Sequence, residues 1–273
     1  MNQKTTNLLI RTLSGIVYVA LMVLSIYTIW IALPLCFFLV FVSLYEFADI
    51  LEQSNQKFKG SLSFLFSAAL CVLSLLTSMV YFQSYNVFIL FSIALLALVI
   101  PELINKSETP MERIALSFFS QFWIVIPLGF LFILWIPMQP VQVLAYFIII
   151  WASDTFAYVG GTLFGKHKLA EKISPGKTWE GFIISCILTV ALAIALYHIP
   201  YFKDANMNLW KWIVFALTVE VFGLLGDLME SLFKRKAKVK DSGKIIPGHG
   251  GVLDRLDSIL FSAIPVFLFC HSC

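Results

Sequence analysis

Between Ser231 and Ser258 the chain reads SLFKRKAKVKDSGKIIPGHGGVLDRLDS, an interval that holds seven of its 19 basic residues together with Asp241, Asp254 and Asp257. A loop that merely joined two helices would be served by a few polar side chains. Cations, glycine amides and spaced carboxylates in one place are instead what a polyphosphate and its metal ions require. In Pro247-Gly248-His249-Gly250-Gly251 the glycines let backbone amides come close to an anion, and Asp254, Arg255 and Asp257 follow at the entry to the last apolar run. Parts of this stretch have plainer readings. The basic run suits a helix lying on anionic lipid, and His249 suits a turn residue bonded to the backbone, with a base or metal ligand as its alternative. Neither accounts for the carboxylates.

Upstream, Glu220, Asp227, Ser231, Lys234 and Lys238 are spaced by 7, 4, 3 and 4 residues, which is one stripe of a helix at about 100° per residue. The track runs from acid to base as it leaves an apolar segment. Glu220 lies nearer the middle of that segment and could simply accept a hydrogen bond from a neighbouring helix, whereas Asp227 lies near its polar end, where a divalent ion could reach it. Mg²⁺ prefers oxygen ligands and needs only one or two carboxylates when substrate phosphates complete its shell. Asp227 and Asp254, each at the end of an adjacent apolar run, are placed in chain terms to supply them.

Two more clusters are polar in the same way. In ISPGKTWEG, from Ile173 to Gly181, a Ser-Pro-Gly turn presents Lys177 as a point cation for phosphate, and Thr178 and Glu180 stand where the next helix begins. Taken alone, Thr178 reads as an N-cap and Glu180 as a first-turn acid that complements the helix dipole. In WASDTFAYVGGTLFGKHKLAEK, Asp154 sits inside an apolar helix with Tyr158 and Gly161 on its face, a costly position for a carboxylate unless it is paired or faces a polar cavity. Gly160 to Lys166 has the spacing of a P-loop. His167 follows where Ser or Thr is needed, and an apolar helix precedes it, so that reading is rejected.

The elements that position these clusters are membrane helices. With 60% hydrophobic and 13% charged residues and a mean hydropathy of +0.89, the 273-residue chain far exceeds the apolar share of about 45–50% usual in soluble domains. It is expected to be an all-α, polytopic integral membrane protein. Runs near the roughly 20 residues that span a bilayer recur about nine times, at about Leu9–Tyr27, Ile29–Phe47, Leu62–Phe82, Val87–Ile104, Ile114–Ile136, Val141–Gly161, Phe182–Ile199, Leu209–Met229 and Ile259–His271. The N-terminus lacks a short apolar core followed by a small-residue cleavage site, so the first run reads as a retained helix. Cys36, Cys71, Cys186, Cys270 and Cys273 show no metal or disulfide spacing and read as small buried residues.

With the N-terminus counted as the first segment, the connections alternate so that only Lys203 and Lys211 fall on one side and all other basic residues on the opposite side. By the positive-inside rule the basic side, N-terminus included, is cytoplasmic. Asp154, Glu171, Glu180, Asp227, Glu230, Asp241, Asp254 and Asp257 lie on loops or helix ends of that same side. There is no internal repeat and no low-complexity tract. The expectation is one integral domain, 1–273, with a helical part at about 1–136 and a catalytic part at about 141–273, and with no nucleic-acid partner.

Ser231, Lys234-Arg235, Lys240-Asp241, Pro247, His249-Gly250-Gly251, Asp254-Arg255 and Asp257 reproduce, in order and spacing, the signature of the phosphatidate cytidylyltransferases, also called CDP-diglyceride synthases. Asp154, Tyr158, Gly165-Lys166, Ser174-Pro175, Lys177-Thr178 and Glu180-Gly181 resemble the family's upstream motifs. The resemblance implies Mg²⁺-dependent transfer from CTP to phosphatidate, giving CDP-diacylglycerol and pyrophosphate, at the cytoplasmic face of a bacterial inner membrane; a homodimer is common in such families. On this reading Asp227 and Asp254 hold the metal, helped by Asp257 or Asp241. Lys234, Arg235 and Lys240 meet the triphosphate, and His249 to Gly251 form an amide cradle. Ser174 and Lys177 engage either substrate's phosphate, Asp154 orients a lysine or joins the metal site, and Ser231 and Arg255 complete the substrate-binding set.

Two other classes compete. A CDP-alcohol phosphotransferase would be close in chemistry, yet its D-G-x-x-A-R motif is absent from the sequence. A transporter would explain Asp154 and Glu220, but it tends to show repeated halves and midplane sites, whereas here most acids sit toward one face.

Overall fold

The computed structural model describes residues 3–54, 68, 72, 86–104, 109–136 and 139–271. They are almost entirely helical. In order come α1 (Gln3–Tyr27), α2 (Ile29–Gln53), α3 (Asn86–Ile104), a continuous helical run α4 (110–135), α5 (Pro140–Phe164), strands β1 (Lys168–Ala170) and β2 (Ser174–Thr178), α6 (Trp179–His198), a 3₁₀ turn at Pro200–Ala205, α7 (Leu209–Lys236) and α8 (Leu253–His271). The antiparallel β1–β2 hairpin pairs Lys168 with Thr178 and Ala170 with Ser174. Among the described residues it is a departure from the expected all-helical chain. Pro175 sits in β2, a two-stranded sheet being all edge, where a missing N–H costs no inner ladder bond.

Among the described residues six helices are long and apolar enough to cross a membrane: Leu9–Tyr27, Ile29–Gln53, Pro110–Ile133, Pro140–Phe164, Trp179–His198 and Leu209–Lys236. The expected run Leu62–Phe82 lies outside the described residues apart from Ala68 and Val72. The run expected at Val87–Ile104 is helical as α3, with an apolar portion at Ser92–Ile104. The last run differs because α8 begins six residues earlier than expected and carries Asp254, Arg255 and Asp257 in its first turns. At the junction of the first two spans Thr28 is extended, and its carbonyl accepts from Ile31 and Ala32 at 3.1 and 3.0 Å, so α2 starts one residue after α1 ends. In α4, Pro127 has no N–H to donate one turn back, and the ladder widens on both sides into π-type turns at Gln121–Val125 and Phe130–Trp135.

The chain forms two compact units, Met1–Pro137 with Lys236–Arg255, and Met138–Arg235 with Leu256–Cys273. The first has a core of Met22, Cys36, Leu44, Phe47, Trp123 and Leu128, with Trp123 set edge-on to Phe47 at 5.4 Å. Its outer α1 face keeps Leu13 and Ile16 exposed, as suits a helix solvated by lipid. The second unit buries Tyr146, Phe147, Trp212 and Phe215. Tyr146 reaches Ser262 at 2.7 Å, and Gln142 donates to the Ala205 carbonyl at 2.9 Å.

In a bilayer, lipid tails are as apolar as leucine, so helices associate through close packing and polar contacts. The second unit shows both. A Cβ on Gly181 of α6 would stand 2.8 Å from the Ala157 carbonyl oxygen and 3.0 Å from Gly161 of α5. Glu220 of α7, buried, takes the helix-packing role: Ser185 and Thr189 of α6 donate to its carboxylate at 2.5 and 2.6 Å. Gly181→Val should therefore force α5 and α6 apart and cost about 1–3 kcal/mol. Thermal unfolding in detergent reads this as a lowered midpoint; an unchanged midpoint would mean that the crossing is not set by glycine.

Candidate active site

The expected site residues fall into two groups, one in each unit. In the second unit the hairpin is fastened at its base. Thr178 Oγ1 accepts from the Gly181 amide at 3.2 Å and caps α6. Glu180 reaches back to the amides of Lys166 and His167 at 3.0 and 3.1 Å and to His167 Nδ1 at 2.5 Å. Fastened so, β2 sets Lys177 Nζ 2.5 Å from Asp227 Oδ2 on α7. Ser231, one turn further along α7, donates to Asp227 Oδ1 at 3.2 Å.

Asp257 of α8 lies against the same turn of α7. A Cβ on Gly226 would collide with the Asp257 carbonyl oxygen and stand 2.9 Å from Phe261 Cβ, so only glycine permits this approach. Burial, the Asp227 charge and the Asp154 charge raise the Asp257 carboxyl to about 8. Asp154 and Tyr158 are both exposed on α5, one turn apart.

The other expected phosphate contacts in this unit already have protein partners. Lys234 is buried with its Nζ 2.7 Å from Glu230, which is wholly buried. Arg235 Nε donates to the Ile173 carbonyl at 3.1 Å and ties α7 to the hairpin. Ser174 opens β2 opposite Ala170.

The first unit holds the glycine turn. Gly248 and Gly250 adopt φ of +76° and +85°, where a side chain is strained. The His249 amide donates to the Ile246 carbonyl at 3.0 Å, and Ser14 of α1 sits 2.9 Å from His249 Nδ1 and donates to the Pro247 carbonyl at 2.9 Å. Arg255 donates twice to the His249 carbonyl, at 2.8 and 3.2 Å. Burial, Arg255 and Arg11 lower the pKa of His249, favouring the neutral imidazole.

Asp254 accepts from the Ser242 amide at 2.9 Å and from the Gly251 amide at 2.8 Å. The Gly251 N–H that was expected to face an anion is thus spent on holding the turn closed. Lys240 and Asp241 are exposed.

A further residue, absent from the sequence-based expectations, organises this group. Glu46 of α2 is buried and accepts from the Val252 amide at 3.1 Å, the Leu253 amide at 2.8 Å and the Ser242 hydroxyl at 3.0 Å. Its carboxylate meets the open N–H groups where α8 begins. The signal was a lone acid within the second apolar run, where an ionisable residue is a functional candidate by default.

Among the described residues no three His, Cys, Asp or Glu side chains form a ready-made metal cage. That is compatible with Mg²⁺, which relies on few carboxylates and on substrate oxygens. The Asp227 and Asp154 charges act on the buried Asp257 carboxyl and raise it, and a divalent cation relieves such repulsion. The donor set is all oxygen, as Mg²⁺ requires.

The site thus belongs to a helical, multi-pass membrane protein and is built from carboxylates, lysines and a glycine turn. The chain belongs to the cytidylyltransferase family, whose model matches residues 9–273. It is 49% identical over 137 residues to a phosphatidate cytidylyltransferase of Staphylococcus aureus (strain COL), covering 49% of this chain and 51% of the relative. The protein of the same name from Staphylococcus haemolyticus (strain JCSC1435) is 49% identical over 119 residues, 44% of this chain and 45% of the relative. That from Staphylococcus epidermidis (strain ATCC 12228 / FDA PCI 1200) is 50% identical over 121 residues, again 44% and 45%. The chain thus spans about half the length of the curated relatives it matches.

Proposed function

We propose that this chain is a phosphatidate cytidylyltransferase, joining CTP and phosphatidate to form CDP-diacylglycerol and pyrophosphate. One observation carries the reading: the family match over residues 9–273 takes in every polar cluster described above. The names of the staphylococcal relatives support the same substrates. The chain is placed in a bacterial cytoplasmic membrane with nine spans, its N-terminus and polar loops in the cytoplasm, on the strength of its one-sided lysines and arginines. A homodimer is compatible with this reading.

In the proposed reaction an oxygen of the phosphatidate phosphate forms a bond to the α-phosphorus of CTP, and the bond from that phosphorus to the β-phosphate bridging oxygen breaks. The electron pair leaves with pyrophosphate. The nucleophile is already an anion, so no strong general base is needed, and charge stabilisation with alignment carries the rate. Mg²⁺, when bound, would draw charge from the phosphate oxygens. Asp227 with Asp257 would hold it, and Asp154 would add negative potential nearby.

Lys177 exchanges Asp227 for a phosphate oxygen when substrate enters. Ser231 orients Asp227, Arg235 keeps the hairpin on α7, and Ser174 contributes at the start of β2. Lys240, being exposed, is free to reach the triphosphate. Asp254 and Arg255 act by holding the His249–Gly251 turn in shape. The test is incubation of the purified protein with labelled CTP and phosphatidate. Lipid-linked CMP should form with Mg²⁺ and disappear in chelator. No lipid-linked product would refute the activity, and full turnover in chelator would refute the metal.

A further inference from the structure

A groove of about 690 Å³ runs along α1, from Arg11 and His249 at one end past Ile16, Val19 and Ala20 to Val23. Its volume is that of a ligand site. Its chemistry is graded. From Arg11 to Val23 the helix rises about 18 Å, close to the roughly 15 Å of one leaflet's hydrocarbon, and beyond Thr12 and Gly15 this length is lined by aliphatic side chains. At the other end is the cation Arg11, beside His249. Among the described residues the Arg11 guanidinium has no carboxylate partner, while Arg255, outside the groove lining, donates to the His249 carbonyl and steadies the turn. Ser14 fixes the imidazole at Nδ1, and the ring lies over Gly15, where an added Cβ would be 3.5 Å from its Cε1.

We propose that this groove binds phosphatidate, with the phosphate monoester at Arg11 beside the His249 turn and one acyl chain along Ile16 to Val23. The proposal rests on the reading of phosphatidate as substrate and says how that substrate comes from within the bilayer to the glycine turn. Charge selects it over other lipids. A phosphate monoester carries about −1.5 to −2 at neutral pH and is drawn to Arg11 more strongly than a phosphodiester lipid, which brings a single negative charge, or a choline lipid, which brings none overall.

The test uses the full chain in phosphatidylcholine vesicles that contain, at equal mole fraction, a photoactivatable phosphatidate, phosphatidylglycerol or phosphatidylcholine, with labelled peptides read by mass spectrometry. The α1 peptide should be labelled several-fold more by phosphatidate than by either other lipid, and Arg11→Ala should abolish that preference. Equal labelling by the three lipids would make the groove ordinary lipid-facing surface. Equal labelling by phosphatidate and phosphatidylglycerol would remove the monoester assignment. Cross-links from α1 to a second copy in place of lipid would assign the groove to an oligomer. Each of these overturns the proposal.

In turnover, Arg11→Ala and the groove-filling Ala20→Trp should each raise the apparent KM for phosphatidate about tenfold, the size of one charge-assisted hydrogen bond, while leaving KM for CTP unchanged. Wild-type kinetics in both variants, or parallel loss of CTP affinity, would overturn it. Labelling does not depend on turnover. A chain that takes up phosphatidate at α1 but forms no lipid-linked CMP would therefore refute the activity while sparing the groove.

Discussion

Asp227→Asn is expected to purify as a folded membrane protein and to form lipid-linked CMP at least about 1000-fold more slowly than the parent chain. The substitution keeps shape and removes charge. Asn can still accept from Ser231, which donates to this side chain at 3.2 Å, so the local structure of α7 survives. What is lost is the anion that holds Lys177 at 2.5 Å and, in the proposed reaction, the main metal ligand. Two outcomes separate these roles. If Lys177 positioning is the whole contribution, excess Mg²⁺ leaves the defect unchanged; if metal affinity is the contribution, raising Mg²⁺ restores part of the rate. Turnover close to the parent at ordinary Mg²⁺ would remove Asp227 from the reaction.

Glu46→Ala is expected to be the most damaging change outside the signature. It strands the Val252 and Leu253 amides and the Ser242 hydroxyl in a buried place, and each unsatisfied donor costs about 1–3 kcal/mol. The loss should exceed about 3 kcal/mol in total. Glu46→Gln keeps one accepting oxygen and should fall between. Thermal unfolding and activity are to be measured together: Glu46→Ala should lose both, and Glu46→Gln should keep more of each. Equal stability of parent and Glu46→Ala would show that α8 and the turn hold themselves.

Much of this architecture was legible in one dimension. The apolar runs located α1, α2, α5, α6 and α7 because a bilayer demands long uninterrupted hydrophobic stretches. The spacing of Asp227, Ser231 and Lys234 placed them on α7, since helix geometry converts sequence spacing into direction. Burial is a tertiary property that this spacing does not convey, which is why the enclosure of Lys234 with Glu230 was not legible. The run at Ile114–Ile136 was legible as one apolar span, but its π-type turns around Pro127 were not, because whether a helix kinks or widens at a proline depends on what packs around it. The hairpin was visible only as a Ser-Pro-Gly turn, because its strands are too short to show an alternating pattern.

The service of Glu46 to the glycine turn was hidden for a related reason. It depends on two segments 206 and 207 residues apart being brought together, and no local pattern reports that.

The contact between Ser14 and His249 spans 235 positions. At a synthesis rate of about 5–20 residues per second, the first helix waits roughly 10–50 s for the turn it will clasp. Throughout that interval Ser14 lacks the Pro247 and His249 partners it has in the finished fold. The clasp is thus a late, post-insertion event in the life of the chain. A nascent protein halted before residue 249 can occupy the membrane with most of its helices and still lack the glycine turn that Ser14 clasps.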